Sequence, residues 1–269
     1  FYGCTALHSI FCNDDWNSSV LQDGTSMFLG CTSLPSYTSQ KTGASMANPT
    51  EGYFKNKLYV IYYENTLTFY NDVYKGVSHP GAIYFFDENL PEGESPAWLE
   101  VEKINVTKVV FDSSFRTVRP TNMGHWFYGF ENLTTIEGME NLCTDSVVNM
   151  AYTFSGCSSL TSIDLSHFNT ENVNAMLYMF YNCKALKTLD VSNFDMSKMI
   201  NTYGMFYGCS ALTTIYGNED WDICSSTLKD GNYLFEGCTN LKGAVPYDSG
   251  NTGSSMANPT TGYFTKTAY

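Results

Sequence analysis

Positive charge is scarce in this chain of 269 residues: 14 Lys and Arg stand against 27 Asp and Glu, a formal net charge of −13. Nucleic-acid binding needs a basic footprint, so the balance argues against that class and offers no help on an anionic membrane. Charge of either sign is sparse, at 15% of residues, while Tyr (20) and Phe (18) are abundant. That profile suits an exported surface protein better than a cytosolic enzyme. No run of eighteen apolar residues occurs, so no segment reads as a membrane-spanning helix. Also missing are a His-Glu-x-x-His or Cys-x-x-Cys metal pattern, a Gly-x-Ser-x-Gly elbow and a phosphate-binding loop. No cofactor, metal or catalytic role is expected on these grounds.

A period is what the sequence does have. Phe154, Phe180 and Phe206 stand 26 residues apart, as do Cys157, Cys183 and Cys209. Leu160, Leu186 and Leu212 follow, then Ile163, Leu189 and Ile215. Phe127 lies 27 residues ahead of Phe154, and Phe235 lies 29 beyond Phe206, which makes five coils. A fixed period of this length signals stacked repeats, each too thin to bury its apolar face alone. Within a coil the hydrophobic spacing switches. Val173, Met176 and Phe180 recur at helical intervals, whereas Leu189 and Val191 alternate with polar neighbours in the manner of a strand. The expectation is an α/β solenoid of the leucine-rich type. Each coil carries one short parallel strand, in "LTTIE", "LTSID", "LKTLD" and "LTTIY", and one short helix.

A longer repeat overlies the first. "FYGCTALHSIF" at Phe1 returns as "FYGCSALTTIY" at Phe206, and "ASMANPTEGYF" returns as "SSMANPTTGYF". Residues 1–55 therefore read as the last coils and tail of one module, and 121–269 as the solenoid and tail of a second. Residues 56–120 read as a β-rich cap or linker, with a hairpin "LYVIYYENTLTFY" turning at Glu64-Asn65. The chain begins inside a coil, so a piece of a longer tandem protein is expected.

Nine cysteines in an exported protein would ordinarily suggest disulfides. Their place in the repeat suggests otherwise. Cys4, Cys31, Cys157, Cys183, Cys209 and Cys238 occupy one consensus position per coil, where a small buried thiol is expected. Cys12, Cys143 and Cys224 lie off that ladder, with their pairing left open. Asp164 and Asp190 share one strand position in successive coils, about one strand spacing apart, which is near the separation of a retaining glycosidase pair. The position is set by the repeat, so a hydrogen-bonding role is the stronger reading. The clusters holding Asp14, Asp15, Glu219 and Asp220 supply too few oxygens for calcium, and are read as solvated turns beside Trp16 and Trp221.

"MFYGCSALTTI", "YTFSGCSSLTSIDLSHFNTENVNAM" and the "LYVIYYENTLTFYND" strand pair resemble the BspA-like leucine-rich repeat proteins of host-associated bacteria. The resemblance implies an exported cell-surface protein that adheres to host matrix proteins or to other bacteria. It carries no site residue over, and Phe130 departs from the motif where the first coil should have Cys. From the repeat itself, the exposed strand positions Glu137, Asp164, Asp190 and Tyr216 are the expected contact row for an extracellular protein or glycan. A structural spacer is the competing reading.

Overall fold

The computed structural model describes residues 1–7, 10–11, 27–34, 37, 54–55, 58–71, 81–86, 95–100, 103–219, 221 and 232–266. The chain divides into two compact units, the first of residues 1–59 and 71–80, the second of 60–70 and 81–269.

In the first unit, β1 (Ile10–Phe11) pairs in parallel with β2 (Phe54–Lys55). The Phe1 and Phe28 rings stack at 5.6 Å. Gly3 N–H donates to Leu29 O at 2.8 Å, and Phe28, Cys31 and Leu34 form a small buried core with Ile10. The described turns at 1–7 and 27–34 thus stack on one another.

The second unit opens on strands. β3 (Leu58–Tyr63, whose first two residues close the first unit), β4 (Thr66–Tyr70), β5 (Ala82–Phe86), β6 (Lys108–Phe111) and β7 (Thr135–Glu137) make one sheet in the order β5-β3-β4-β6-β7. The hairpin turns where expected, with Glu64 and Asn65 both at positive φ (46° and 61°), the two-residue turn whose twist suits paired strands. Behind the sheet, Phe69 meets Phe111 at 4.8 Å, Trp98 at 5.0 Å and Trp126 at 5.8 Å. Trp98 Nε1 donates to Trp126 O at 2.7 Å. β6 pairs in parallel with both β4 and β7, so the coil holding β7 continues the sheet.

From residue 121 the 26-residue rhythm becomes a stack. Phe127, Phe154, Phe180, Phe206 and Phe235 are fully buried, with successive ring centroids 5.3, 5.5, 6.0 and 5.6 Å apart. Leu133, Leu160, Leu186 and Leu212 are buried beside them. Strands form at three of the four expected places. β8 (Thr188–Asp190), β9 (Thr214–Gly217) and β10 (Phe264–Lys266) make a parallel three-stranded sheet, whereas residues 161–165 form no strand. The expected run of parallel strands is therefore split into two ladders.

The expected short helix does not form in the coils at 149–157, 175–183 and 201–209, which make consecutive turns. The reason lies in where the backbone donors go. Tyr152 N–H donates to Leu177 O, Phe154 to Met179 O and Gly156 to Tyr181 O, at 2.7–3.0 Å, and Tyr178, Phe180 and Asn182 do the same to the next coil. An α-helix requires each N–H to bond four residues back. Here alternate N–H groups point along the stack. Left-handed residues recur four apart to make this geometry, Tyr152 with Gly156 (φ 58° and 80°) and Tyr178 with Asn182 (φ 52° and 56°).

Five of the six ladder cysteines are buried as the repeat predicts, and Cys4 is the exception. Cys157, Cys183 and Cys209 are buried and free, as is Cys238; Cys4 is free but exposed. Each buried thiol donates to the carbonyl of the core phenylalanine one coil earlier: Cys157 to Phe127 at 3.3 Å, Cys183 to Phe154 at 3.2 Å, Cys209 to Phe180 at 3.0 Å and Cys238 to Phe206 at 3.0 Å. Burial pushes the thiols of Cys157 and Cys209 well above their ordinary pKa, which keeps them as inert thiols. Phe130 fills the same place in the first coil and is buried. Cys143 is free and half-buried, while Cys12 and Cys224 lie outside the described residues.

Candidate functional site

The stack presents equivalent side chains in rows. The strand row was the expected contact surface. Glu137 is exposed on β7, where Lys108 Nζ lies 2.8 Å from its carboxylate. Asp190 on β8 and Tyr216 on β9 are direct partners in register, with buried Leu189 and Ile215 facing the core between their neighbours. Asp164 is exposed in the coil that lacks a strand, so the four residues do not share one ladder.

Both aspartates carry a local task. Asp164 Oδ1 accepts from Ser166 N–H at 2.9 Å, and Asp190 Oδ1 accepts from Ser192 N–H at 2.9 Å. Hydrogen bonds from the Ser166 hydroxyl and N–H hold the Asp164 carboxyl below the usual carboxylate range. A general acid needs the opposite, a carboxyl kept protonated near neutral pH. The geometry suits an exposed, turn-closing carboxylate.

Other polar positions of the repeat join coil to coil. Thr144 Oγ1 donates to Asn169 O and accepts from Asn169 N–H, and Thr170 does the same with Asp195. Asn193 Nδ2 donates to Leu165 O and Phe168 O, and Asn218 Nδ2 donates to Ser192 O and Phe194 O. Such bonds satisfy buried backbone groups that would otherwise be costly. Among the described residues no group of three or more His, Cys, Asp or Glu is placed to hold a metal. Glu219 pairs with Lys266 at 3.0 Å, and Trp221 packs on Phe264 at 5.0 Å. Asp14, Asp15, Trp16 and Asp220 lie outside the described residues.

A second row lies on the turn side. His125 stacks on Tyr152 at 4.8 Å, Tyr152 meets Tyr178 at 5.3 Å, Tyr178 meets Tyr203 at 5.3 Å and Tyr203 meets Tyr233 at 5.5 Å. Gly204 holds the position equivalent to Tyr178, because a Cβ there would come within 2.6 Å of the Tyr178 ring. Tyr203 supplies the ring from the preceding residue instead. Burial, then a hydrogen bond with Tyr203, pushes the Tyr178 phenol up to about 12. Burial, then Lys103, lowers the pKa of His125, so its imidazole is neutral at physiological pH.

Two clefts open beside this row. One, of about 570 Å³, is lined by Ser95, Pro96, Ala97, Leu99, Lys103, His125, Tyr128 and Tyr152. Its neighbour, of about 400 Å³, is lined by Lys103, Tyr128, Gly129, Glu131, Ser155, Gly156 and Tyr181. Lys103 and Tyr128 border both, with Lys103 Nζ 5.1 Å from the centre of the Tyr128 ring. None of these residues belongs to the expected row. The sequence signal for them is the residue after each core phenylalanine: Tyr128, Ser155, Tyr181, Tyr207 and Glu236.

A family described as "Mycoplasma protein of unknown function, DUF285" matches residues 121–248, the stacked coils. No curated protein matches the chain. Among solved structures, a leucine-rich repeat protein of T. pallidum is similar at 19% identity over 66% of this chain and 84% of its own, with a TM-score of 0.34. A leucine-rich repeat protein of Bacteroides ovatus is similar at 22% identity, with a TM-score of 0.23; the match spans 52% of this chain and only 24% of that longer protein.

Proposed function

We propose that the chain is a non-catalytic binding module, a leucine-rich repeat solenoid displayed outside the cell as an adhesin of the BspA-like kind. Its ligand is an extracellular protein met on the row Glu137, Asp164, Asp190 and Tyr216. The observation that carries the reading is the register of Asp190 with Tyr216 above a fully buried Leu189 and Ile215. Outward positions of this kind vary without disturbing the core. An exposed carboxylate beside a tyrosine suits a ligand with basic or hydroxyl-rich character.

The competing spacer reading draws support from polar positions such as Thr144, Thr170, Asn193 and Asn218, which serve bonds between coils. The two separate in one experiment. Asp164→Asn and Asp190→Asn are combined in the full chain, the melting curve is checked, and binding to immobilised extracellular-matrix proteins is measured. The binding reading expects weakened binding with an intact fold. Unchanged affinity, together with loss on altering the exposed Tyr63, moves the contact surface to the hairpin. No binding to any matrix protein by the parent chain favours the spacer.

A further inference from the structure

The tyrosine column that follows the core phenylalanines is broken at Ser155 and ends at Glu236. Tyr128, Tyr181 and Tyr207 follow Phe127, Phe180 and Phe206, but Ser155 follows Phe154. Tyr181 packs against Tyr207 at 5.3 Å with its ring 30° from parallel, while the column position on its other side is the serine. The missing ring leaves the 400 Å³ slot between Tyr128 and Tyr181. Two left-handed glycines border it, Gly129 and Gly156 at φ 76° and 80°, packed so closely that a Cβ on Gly156 would lie 3.4 Å from Gly129 Cα. The slot meets the 570 Å³ cleft at Lys103 and Tyr128.

We propose that these two clefts are adjacent subsites for a neutral oligosaccharide of pyranose units, one sugar on each side of Tyr128. Each volume falls in the range of roughly 300–1,000 Å³ usual for small-ligand sites. Their walls combine what a pyranose demands. Aromatic rings meet its C–H face, as rigid surfaces with a polar tip. Lys103 donates to ring or hydroxyl oxygens, Glu131 accepts from hydroxyls, and the phenols do both. One cation and one carboxylate share the rim, and the whole chain carries −13, so a polyanion is disfavoured. No described carboxylate pairs with Lys103, whose ammonium rests on the Tyr128 ring instead. This site is separate from the strand row and does not depend on it.

The repeat supplies its own test. Ser155→Tyr gives the column the residue that three other coils carry there; because Ser155 is buried, the melting curve of the variant is measured alongside binding. The full chain is titrated by calorimetry with cellotetraose, maltotetraose, mannotetraose and a glucuronate tetramer. At least one neutral tetrasaccharide is expected to saturate the protein. Tyr181→Ala should weaken it by roughly tenfold or more, as for an aromatic anchor. Ser155→Tyr should abolish it. Lys103→Ala gives a second readout should Ser155→Tyr lower the melting temperature, and it is expected to weaken binding. The proposal is overturned by any of three results: no neutral tetrasaccharide binding at millimolar concentration, binding of the glucuronate tetramer alone, or affinity unmoved by both Tyr181→Ala and Lys103→Ala. A site occupied only by a protein ligand falls under the first of these.

Discussion

The strand side and the turn side of the stacked coils are held together differently. On the strand side, β6 with β7 and β8 with β9 and β10 are separate ladders of three or four residues, with a coil between them that forms no strand. On the turn side the coil-to-coil hydrogen bonds run without a gap from Met123, which donates to Asn149 O, to Phe206, which donates to Leu234 O. The buried Phe rings lie between the two. Cohesion therefore rests on the turns and the core, and the strand row is the side on which side chains change at least cost.

This contrast predicts a hierarchy of losses. Phe180→Ala removes a fully buried ring stacked between Phe154 and Phe206, and should cost about 3–5 kcal/mol. Asp190→Ala on the exposed row loses one turn-closing bond and should cost about 1 kcal/mol or less. Chemical denaturation of the two variants measures the gap; equal losses would mean that the strand row bears load as the core does.

Gly156→Ala sharpens the turn-side half of the comparison. The residue sits at φ 80° against Gly129, and a side chain forced into the left-handed region costs roughly 1–2 kcal/mol. A melting temperature unchanged by this substitution would contradict the left-handed turn. Asn182→Gly, at the equivalent place with φ 56°, is expected to be nearly neutral by comparison.

The smallest effect is acid sensitivity. Hydrogen bonds from Ser166 and Ser197, hydroxyl first and N–H second, hold the carboxyls of Asp164 and Asp195 below the ordinary range. A depressed folded-state pKa contributes stability that is present above the ordinary Asp value of about 3.9 and is lost as pH falls through the lower folded value. Melting temperature against pH should be flat near neutrality and decline below about pH 4. The decline should be shallower in Asp164→Asn; an identical acid limb in parent and variant would remove Asp164 from the account.

How far the sequence reached differs between these regions. The hairpin at Glu64-Asn65, the core phenylalanines and the free, buried thiols at Cys157, Cys183 and Cys209 were all legible, because each follows from local turn chemistry or from a side chain's place in the period. The strand row was legible as a set of outward positions but not as a ladder, since pairing depends on the neighbouring coil. The Lys103 and Tyr128 clefts were not legible. Lys103 lies in a segment without the repeat, and Ser155 reads as an ordinary polar substitution until its neighbours are in place.

By itself the sequence determined the period, the identity of the buried face and the size of each rung, since a coil with Phe, Cys and Leu at fixed intervals has one way to hide them. The tertiary structure alone decided the rest. Val173, Met176 and Phe180 carry helical spacing, yet the segment turns, because stacking offers its N–H groups carbonyls in the next coil and the Tyr rings cover one another once Tyr152 and Tyr178 turn left-handed. The slot at Ser155 exists for the same reason: a gap in a column has no meaning until rings stand on either side of it.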